Sequence, residues 1–95
     1  MSLDLRGVLT QIERHDRDLG RQLRRAASSV ALNIQEGSGS HGGTRTARYR
    51  TALGSARETG ACVDVAVALG YVERVDGELQ ASLDEVQAML VALVR

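Results

Sequence analysis

Residues 45–70 read RTARYRTALGSARETGACVDVAVALG, and this stretch decides the fold. Neither it nor the rest of the chain contains proline, and its apolar residues recur at steps of three and four, which predicts one long helix that ends at Gly70. At 100° per residue the small and apolar side chains occupy two opposite sides of this helix. One side carries Ala47, Thr51, Gly54, Ala61, Cys62, Val65 and Leu69, and the other carries Ala52, Ala56, Val63 and Val67.

A helix that is apolar on both sides has to be covered on both sides. In a domain of 95 residues the neighbouring helices cover one side, so we expect the other side to be a subunit interface. Ala52, Ala56 and Gly60 form a ridge of small residues that would let another helix approach closely, and Leu32 points away from the apolar face of its own helix. The alternative is that the bundle surrounds the long helix completely.

Helical periodicity continues on both sides of this stretch. Apolar residues at helical spacing predict a short first helix over residues 5–12, a second over residues 19–34 and a last helix over residues 79–93. We expect a break near residues 15–18, where Asp16 or Asp18 would cap the second helix, although one continuous helix is the alternative. The glycine-rich run 37–43 predicts a flexible connection, Thr44 a cap, and residues 75–77 a turn.

These elements predict an all-α, up-and-down four-helix bundle with a short first helix, formed by residues 1–95 as one domain. Phe and Trp are absent, so the core must consist mainly of Leu, Val, Ile and Ala. The single cysteine, the lack of an apolar leader and the lack of a membrane-length apolar run predict a cytoplasmic protein.

The net charge of zero conceals a gradient along the chain. Residues 1–50 carry nine Arg and five acids, whereas residues 51–95 carry three Arg and seven acids. All twelve basic residues are arginine, the side chain best suited to bidentate contacts with phosphate, although genome base composition is the simpler explanation. The candidate nucleic-acid-binding residues are Arg17, Arg21, Arg24, Arg25, Arg45 and Arg48.

The first four of these arginines share the outer face of the second helix, and we expect the loop to separate Arg45 and Arg48 from them by a helix length. In an oligomer both groups would repeat around an axis and favour polyanion binding through phosphates, without sequence readout. The alternative is a solvated face with ion pairs such as Asp18–Arg21 and Glu13–Arg17.

A polar ladder is predicted between the second and third helices. Its members are Gln22, Ser29, Asn33, Glu36, Gly54, Ser55 and Glu58. We expect Glu58 to accept a hydrogen bond from Gln22, Asn33 or an arginine, so that the ladder fixes how the two helices align. The functional alternative is a carboxylate pair, Glu36 and Glu58, which would act as acid and base or hold a metal.

The other features favour a protein without catalysis, metal or cofactor. His15 and His41 fall in predicted loops away from the ladder, so no Glu-x-x-His pair completes a di-metal site. The glycine run lacks the Gly-Lys-Ser/Thr ending of a phosphate loop and follows a helix instead of a strand. Cys62 has Glu58 one turn away, which argues against a reactive thiolate and favours a core thiol.

Three motifs resemble a known family. They are Gln22-Leu23-Arg24-Arg25-Ala26-Ala27-Ser28-Ser29-Val30, Asn33-Ile34-Gln35-Glu36-Gly37 and Ala52-Leu53-Gly54-Ser55-Ala56-Arg57-Glu58, followed by Leu69-Gly70-Tyr71. In this order and spacing they are similar to the bacterial four-helix bundle family of ribosomal RNA intervening-sequence proteins, which also contains the accessory variability proteins of diversity-generating retroelements. The similarity extends from about Leu19 to Leu93.

This resemblance implies an up-and-down bundle, a homopentamer and no catalysis. It also implies, for the retroelement branch, binding of nucleic acid and of a reverse transcriptase through basic surfaces. By similarity Gln22, Asn33, Glu36 and Glu58 are polar positions of the motifs, and Arg24 and Arg25 are basic ones. The chain departs from the family in its short first helix without aromatic residues, in Gln35 and Arg48, and in its net charge of zero.

Overall fold

Four α-helices form the fold in a computed structural model that describes residues 4–95. They are α1 (Leu5–His15), α2 (Arg17–Ser38), α3 (Gly42–Ala68) and α4 (Gly77–Leu93). The most extensive contact is between α2 and α3, while α1 lies against α2 and α4 lies against α3. The predicted all-α fold with a short first helix is confirmed, and its arrangement is that of a four-helix bundle. Within residues 4–95 no helix combines the length and apolarity needed to cross a membrane.

The break between α1 and α2 is a single residue. The Asp16 backbone is extended, with φ −154° and ψ 98°, and its Oδ1 accepts a hydrogen bond from the Leu19 N–H at 2.9 Å. The predicted break is therefore confirmed, and Asp16 is the cap. Its Oδ2 accepts a hydrogen bond from the Tyr71 hydroxyl at 3.3 Å, and the His15 ring stacks on Tyr71 at 5.3 Å. Partial burial and then the Asp16 carboxylate raise the pKa of Tyr71.

The connection between α2 and α3 is shorter than the glycine-rich run predicted. Gly37 lies inside α2, and α3 already begins at Gly42, whose φ of +58° is the left-handed conformation that glycine allows. The prediction that Thr44 caps this helix is wrong, because Thr44 lies within the first turn. His41 precedes the helix and makes no side-chain capping hydrogen bond.

Local signals also end α3 and begin α4. Gly70 has a φ of +78°, and the next N–H, that of Tyr71, donates to the carbonyl of Ala66 at 2.9 Å. Asp76 caps α4 by accepting a hydrogen bond from the Glu78 N–H at 3.2 Å. The predicted turn at 75–77 therefore leads into α4, which starts two residues before Leu79.

The core lies on one side of α3. Ala52, Ala56 and Val63 are at most 4% exposed and pack with buried side chains of the other helices. The ridge of small residues that we expected on the outside is thus inside the domain, where Ala52 and Ala56 let the neighbouring helices approach α3 closely. Gly60, the third member of the ridge, is half-buried beside Gln87 of α4.

The opposite side of α3 is exposed. Its exposed small and apolar residues are Ala47, Thr51, Gly54, Ala61, Val65 and Leu69, and the charged residues Arg50, Arg57, Glu58 and Asp64 are exposed among them. Two residues lie on the opposite side of α3 from the one predicted. Cys62, which was grouped with the residues now exposed, is 4% exposed, and Val67, which was grouped with the residues now buried, is 40% exposed. Leu93, the last apolar residue of the helical pattern that predicted this final helix, is 45% exposed, and Leu32 is 61% exposed as predicted. The described chain therefore leaves the outer side of α3 uncovered.

Gly37→Ala is expected to destabilise the fold by about 1–3 kcal/mol, because a methyl group there overpacks the core. A Cβ at this position would lie 2.5 Å from Cε1 of the buried Tyr49 ring. The matched control is Gly54→Ala, where a Cβ meets nothing within 4 Å. This variant should be more stable than the unchanged protein by about 0.5–1 kcal/mol, because alanine has the higher helix propensity. Urea unfolding followed by circular dichroism measures both. Equal unfolding midpoints would contradict the contact between α2 and α3 at Gly37.

Cys62 is expected to react slowly with Ellman's reagent at pH 8. Burial and then the charge of Glu58 raise the pKa of its thiol, so the reactive thiolate is scarce in the folded protein below that raised pKa. We expect a native rate about tenfold or more below that of the urea-unfolded chain, because the thiolate is the nucleophile. Equal rates in the two states would show that Cys62 is accessible and would contradict its place in the core.

Candidate nucleic-acid interface

The antiparallel register of α2 and α3 positions every candidate site residue. Ser55 Oγ donates to Ser29 Oγ at 2.7 Å, and Arg48 forms an ion pair with Glu36 at 3.1 Å. The second pair lies seven residues further along α2 and seven residues back along α3. Both pairs therefore belong to a single alignment of the two helices.

The polar ladder is centred on Ser29. Besides its bond to Ser55, Ser29 accepts hydrogen bonds from Asn33 Nδ2 at its carbonyl oxygen (2.9 Å) and at its hydroxyl oxygen (3.1 Å). Gln22 and Glu58 line the same groove of about 330 Å³, yet within residues 4–95 the Glu58 carboxylate accepts no hydrogen bond from Gln22, Asn33 or any arginine. Ser29, Asn33 and Ser55 are the members of the predicted ladder that bond to one another.

The two carboxylates of the alternative acid–base pair are far apart. Arg48, which contacts Glu36, precedes Glu58 by ten residues, which is about 15 Å along a helix. Within the described residues no three His, Cys, Asp or Glu side chains lie close enough together to hold a metal ion.

Gly54, the remaining member of the predicted ladder, lies one residue before Ser55 on the exposed side of α3.

Three of the candidate arginines line one surface groove. Arg24 and Arg25 of α2 and Arg48 of α3 border a groove of about 520 Å³, together with Leu32 and Asn33. We had expected a helix length between Arg48 and the arginines of α2. The fold brings them closer because α3 turns back along α2, so that the first turns of α3 lie against the second half of α2.

The remaining candidate arginines lie at the two ends of this groove. Arg17 and Arg21 are exposed on the N-terminal turns of α2. Arg45 Nε donates to the carbonyl oxygens of Gly37 and Ser40, at 3.2 Å and 2.9 Å, and so closes the connection between the helices. Arg45 therefore has a structural role in addition to its charge.

Two ion pairs partly neutralise the groove. Arg24 pairs with Glu13 at 3.1 Å, and Arg48 pairs with Glu36 at the same distance. All four side chains are about half exposed, and such pairs contribute roughly 0–1 kcal/mol, so neither pair holds its guanidinium group strongly. The expected pairs Asp18–Arg21 and Glu13–Arg17 do not form within residues 4–95. Glu13 reaches Arg24 because the break at Asp16 folds α1 back along α2.

Sequence reasoning missed two features of this site. It did not place Arg48 beside Arg24 and Arg25, and it did not assign Leu32 to the same groove. A signal for the first was present, because an antiparallel hairpin that pairs Ser29 with Ser55 also pairs residue 36 with residue 48. The place of Leu32 in the groove depends on the space between α2 and α3. The periodicity of one helix alone does not describe that space.

A protein-family model described as "23S rRNA-intervening sequence protein" matches residues 6–92. No curated protein and no solved structure matches the chain. The matched segment contains all four helices except the ends of α1 and α4, and it contains every residue of the groove. The chain therefore belongs to the 23S rRNA-intervening sequence protein family.

Proposed function

We propose that this protein assembles with copies of itself, as a pentamer, and binds RNA or DNA through the arginines of α2 and the first turns of α3. Its role is that of an adaptor without catalytic activity or cofactor. The observation that carries this proposal is the groove that brings Arg24, Arg25 and Arg48 together, with Arg17 and Arg21 continuing along α2.

The chemistry of this surface suits a phosphate backbone. Guanidinium groups bind phosphate with two parallel hydrogen bonds, and Arg17 to Arg25 span about 12 Å of helix. Base recognition in single strands uses exposed rings, but here Tyr49 is only 8% exposed and Tyr71 is stacked on His15. Contacts with phosphates, without sequence readout, follow from this arrangement.

The outer side of α3 supports the proposed self-association. The other helices do not cover its small and apolar residues, among which lie the charged residues Arg50, Arg57, Glu58 and Asp64. Each copy adds its own groove, and linked sites bind a long polyanion far more tightly than one site alone. The name of the family, which refers to an intervening sequence of ribosomal RNA, is consistent with RNA as the ligand.

A second candidate function is a structural module that binds a partner protein, such as a reverse transcriptase, without nucleic acid. The exposed apolar side chains Leu32, Met89 and Leu93, between 43% and 61% exposed, favour it. Such a contact would be insensitive to salt, because it depends on apolar burial and not on counterion release.

Electrophoretic shift with a structured RNA hairpin at several salt concentrations tests the proposed function. We expect binding to weaken about a thousandfold between about 50 mM and 200 mM salt if six phosphates are contacted. Changing Arg21, Arg24 and Arg25 together to Ala should reduce the slope of log affinity against log salt by about three for each copy engaged.

The matched control changes Arg6, Arg14 and Arg74 to Ala, which removes the same charge from exposed positions outside the groove. This variant should keep the salt slope of the unchanged protein. No shift at low salt would overturn nucleic-acid binding and leave the partner-protein module. Equal slopes for the two triple variants would show that binding does not use the groove.

A further inference from the structure

The short first helix leaves part of the bundle open. α1 has 11 residues, about 16 Å of helix, whereas α2 has 22 residues and about 33 Å. Beyond Leu5, at the start of α1, an almost wholly apolar cavity of about 120 Å³ remains between α2 and α4. Its other lining residues are Ala27, Val30, Ala56, Thr59, Leu83 and Val86.

Apolar side chains extend this cavity into a groove. On α2, Ala31 and Ile34 follow at helical spacing. On α4, Gln87 marks the side that faces α3, since its Nε2 lies 3.3 Å from where a Cβ of Gly60 would be. At 100° per residue, Met89 and Leu93 therefore fall on the opposite flank, beside Val86, and they are 43% and 45% exposed.

Charges border both this groove and the outer side of α3. On α4, Glu78 and Glu85 are exposed, lie seven residues apart and so share the groove edge. On α3, Arg50 and Arg57 are also exposed and seven residues apart, beside the small residues Gly54 and Ala61. The exposed acids Glu58 and Asp64 lie on the same side of α3. None of Arg50, Arg57, Glu78 and Glu85 forms an ion pair within residues 4–95.

We infer that the open groove between α2 and α4 receives the outer side of α3 from a second copy of this chain, with Arg50 and Arg57 facing Glu78 and Glu85. This inference rests on the self-association proposed above and names its two surfaces. The complementary charges identify the occupant, and the short side chains of α3 at Gly54 and Ala61 allow close approach to Met89 and Leu93.

Helix direction fits this contact. Rotation about an axis parallel to the helices keeps α3 of the second copy parallel to α3 of the first, and therefore antiparallel to the α4 that it meets. In that orientation the charged flank of one helix faces the charged flank of the other. Because the groove and the outer side of α3 are different surfaces, the contact is head-to-tail and closes into a ring when the rotation fits.

Sedimentation velocity of surface variants, all measured at the same micromolar concentration, tests the inference. Met89→Glu in the groove and Ala61→Glu on α3 each place a charge in the contact, and we expect each to convert the assembly to monomer. Both residues are exposed, so circular dichroism should show unchanged helicity. Reversing Arg50 and Arg57 to Glu, or Glu78 and Glu85 to Arg, should weaken association about tenfold or more, whereas all four reversals in one chain should restore it.

Arg14→Glu is the matched control, because it reverses an exposed charge outside both surfaces and outside the arginine groove, and it should leave the assembly intact. An assembly that persists in Met89→Glu and Ala61→Glu would overturn the inference and leave the proposed self-association standing. A monomeric unchanged protein would overturn both. Nucleic-acid binding is measured separately by the salt-dependent shift, so neither result decides it.

Discussion

The packing of α2 against α3 is the constraint on which the rest of the structure depends. Gly37 leaves room for the Tyr49 ring, and the Ser29–Ser55 hydrogen bond lies between polar flanks of the same two helices. One alignment satisfies both contacts, since a slip by one residue would direct the Ser55 hydroxyl away from Ser29. The same alignment places Arg48 beside the arginines of α2, so the register of a structural contact determines the charge of the surface.

Small residues allow this close packing, and they also limit the apolar volume that the domain encloses. With Ala52 and Ala56 at its centre, the bundle brings its helices close together but encloses little volume. The short α1 then covers only part of the space between α2 and α4, and apolar side chains such as Met89 remain at the surface. A small domain has little stability to spare, so the proposed association, by burying such side chains, would supply stabilisation that one copy lacks.

Local signals predicted most of the fold. Asp16, Gly70 and residues 75–77 each mark a helix end by their own backbone or side-chain chemistry, and the structure uses all three. Thr44 was misassigned because the glycines before it allow α3 to begin earlier. Contacts that depend on how two helices align were not predictable in this way. Which side of α3 is buried, and which carboxylate meets Arg48, depend on packing between helices that the period of a single helix does not encode.

A chain of zero net charge binds a polyanion only if its charges are segregated on the surface. Here α4 contains acidic residues and no arginine, whereas α2 presents four arginines near its N-terminal half, so the fold separates the two signs on different helices. The proposed contact between copies pairs two acids, Glu78 and Glu85, with two arginines, Arg50 and Arg57. It therefore leaves the net charge unchanged, and Arg17, Arg21 and Arg25 on α2 remain outside the contact. In the proposed ring, assembly and affinity for phosphates would be linked, because the ring that covers apolar side chains would also repeat the arginine groove around its axis.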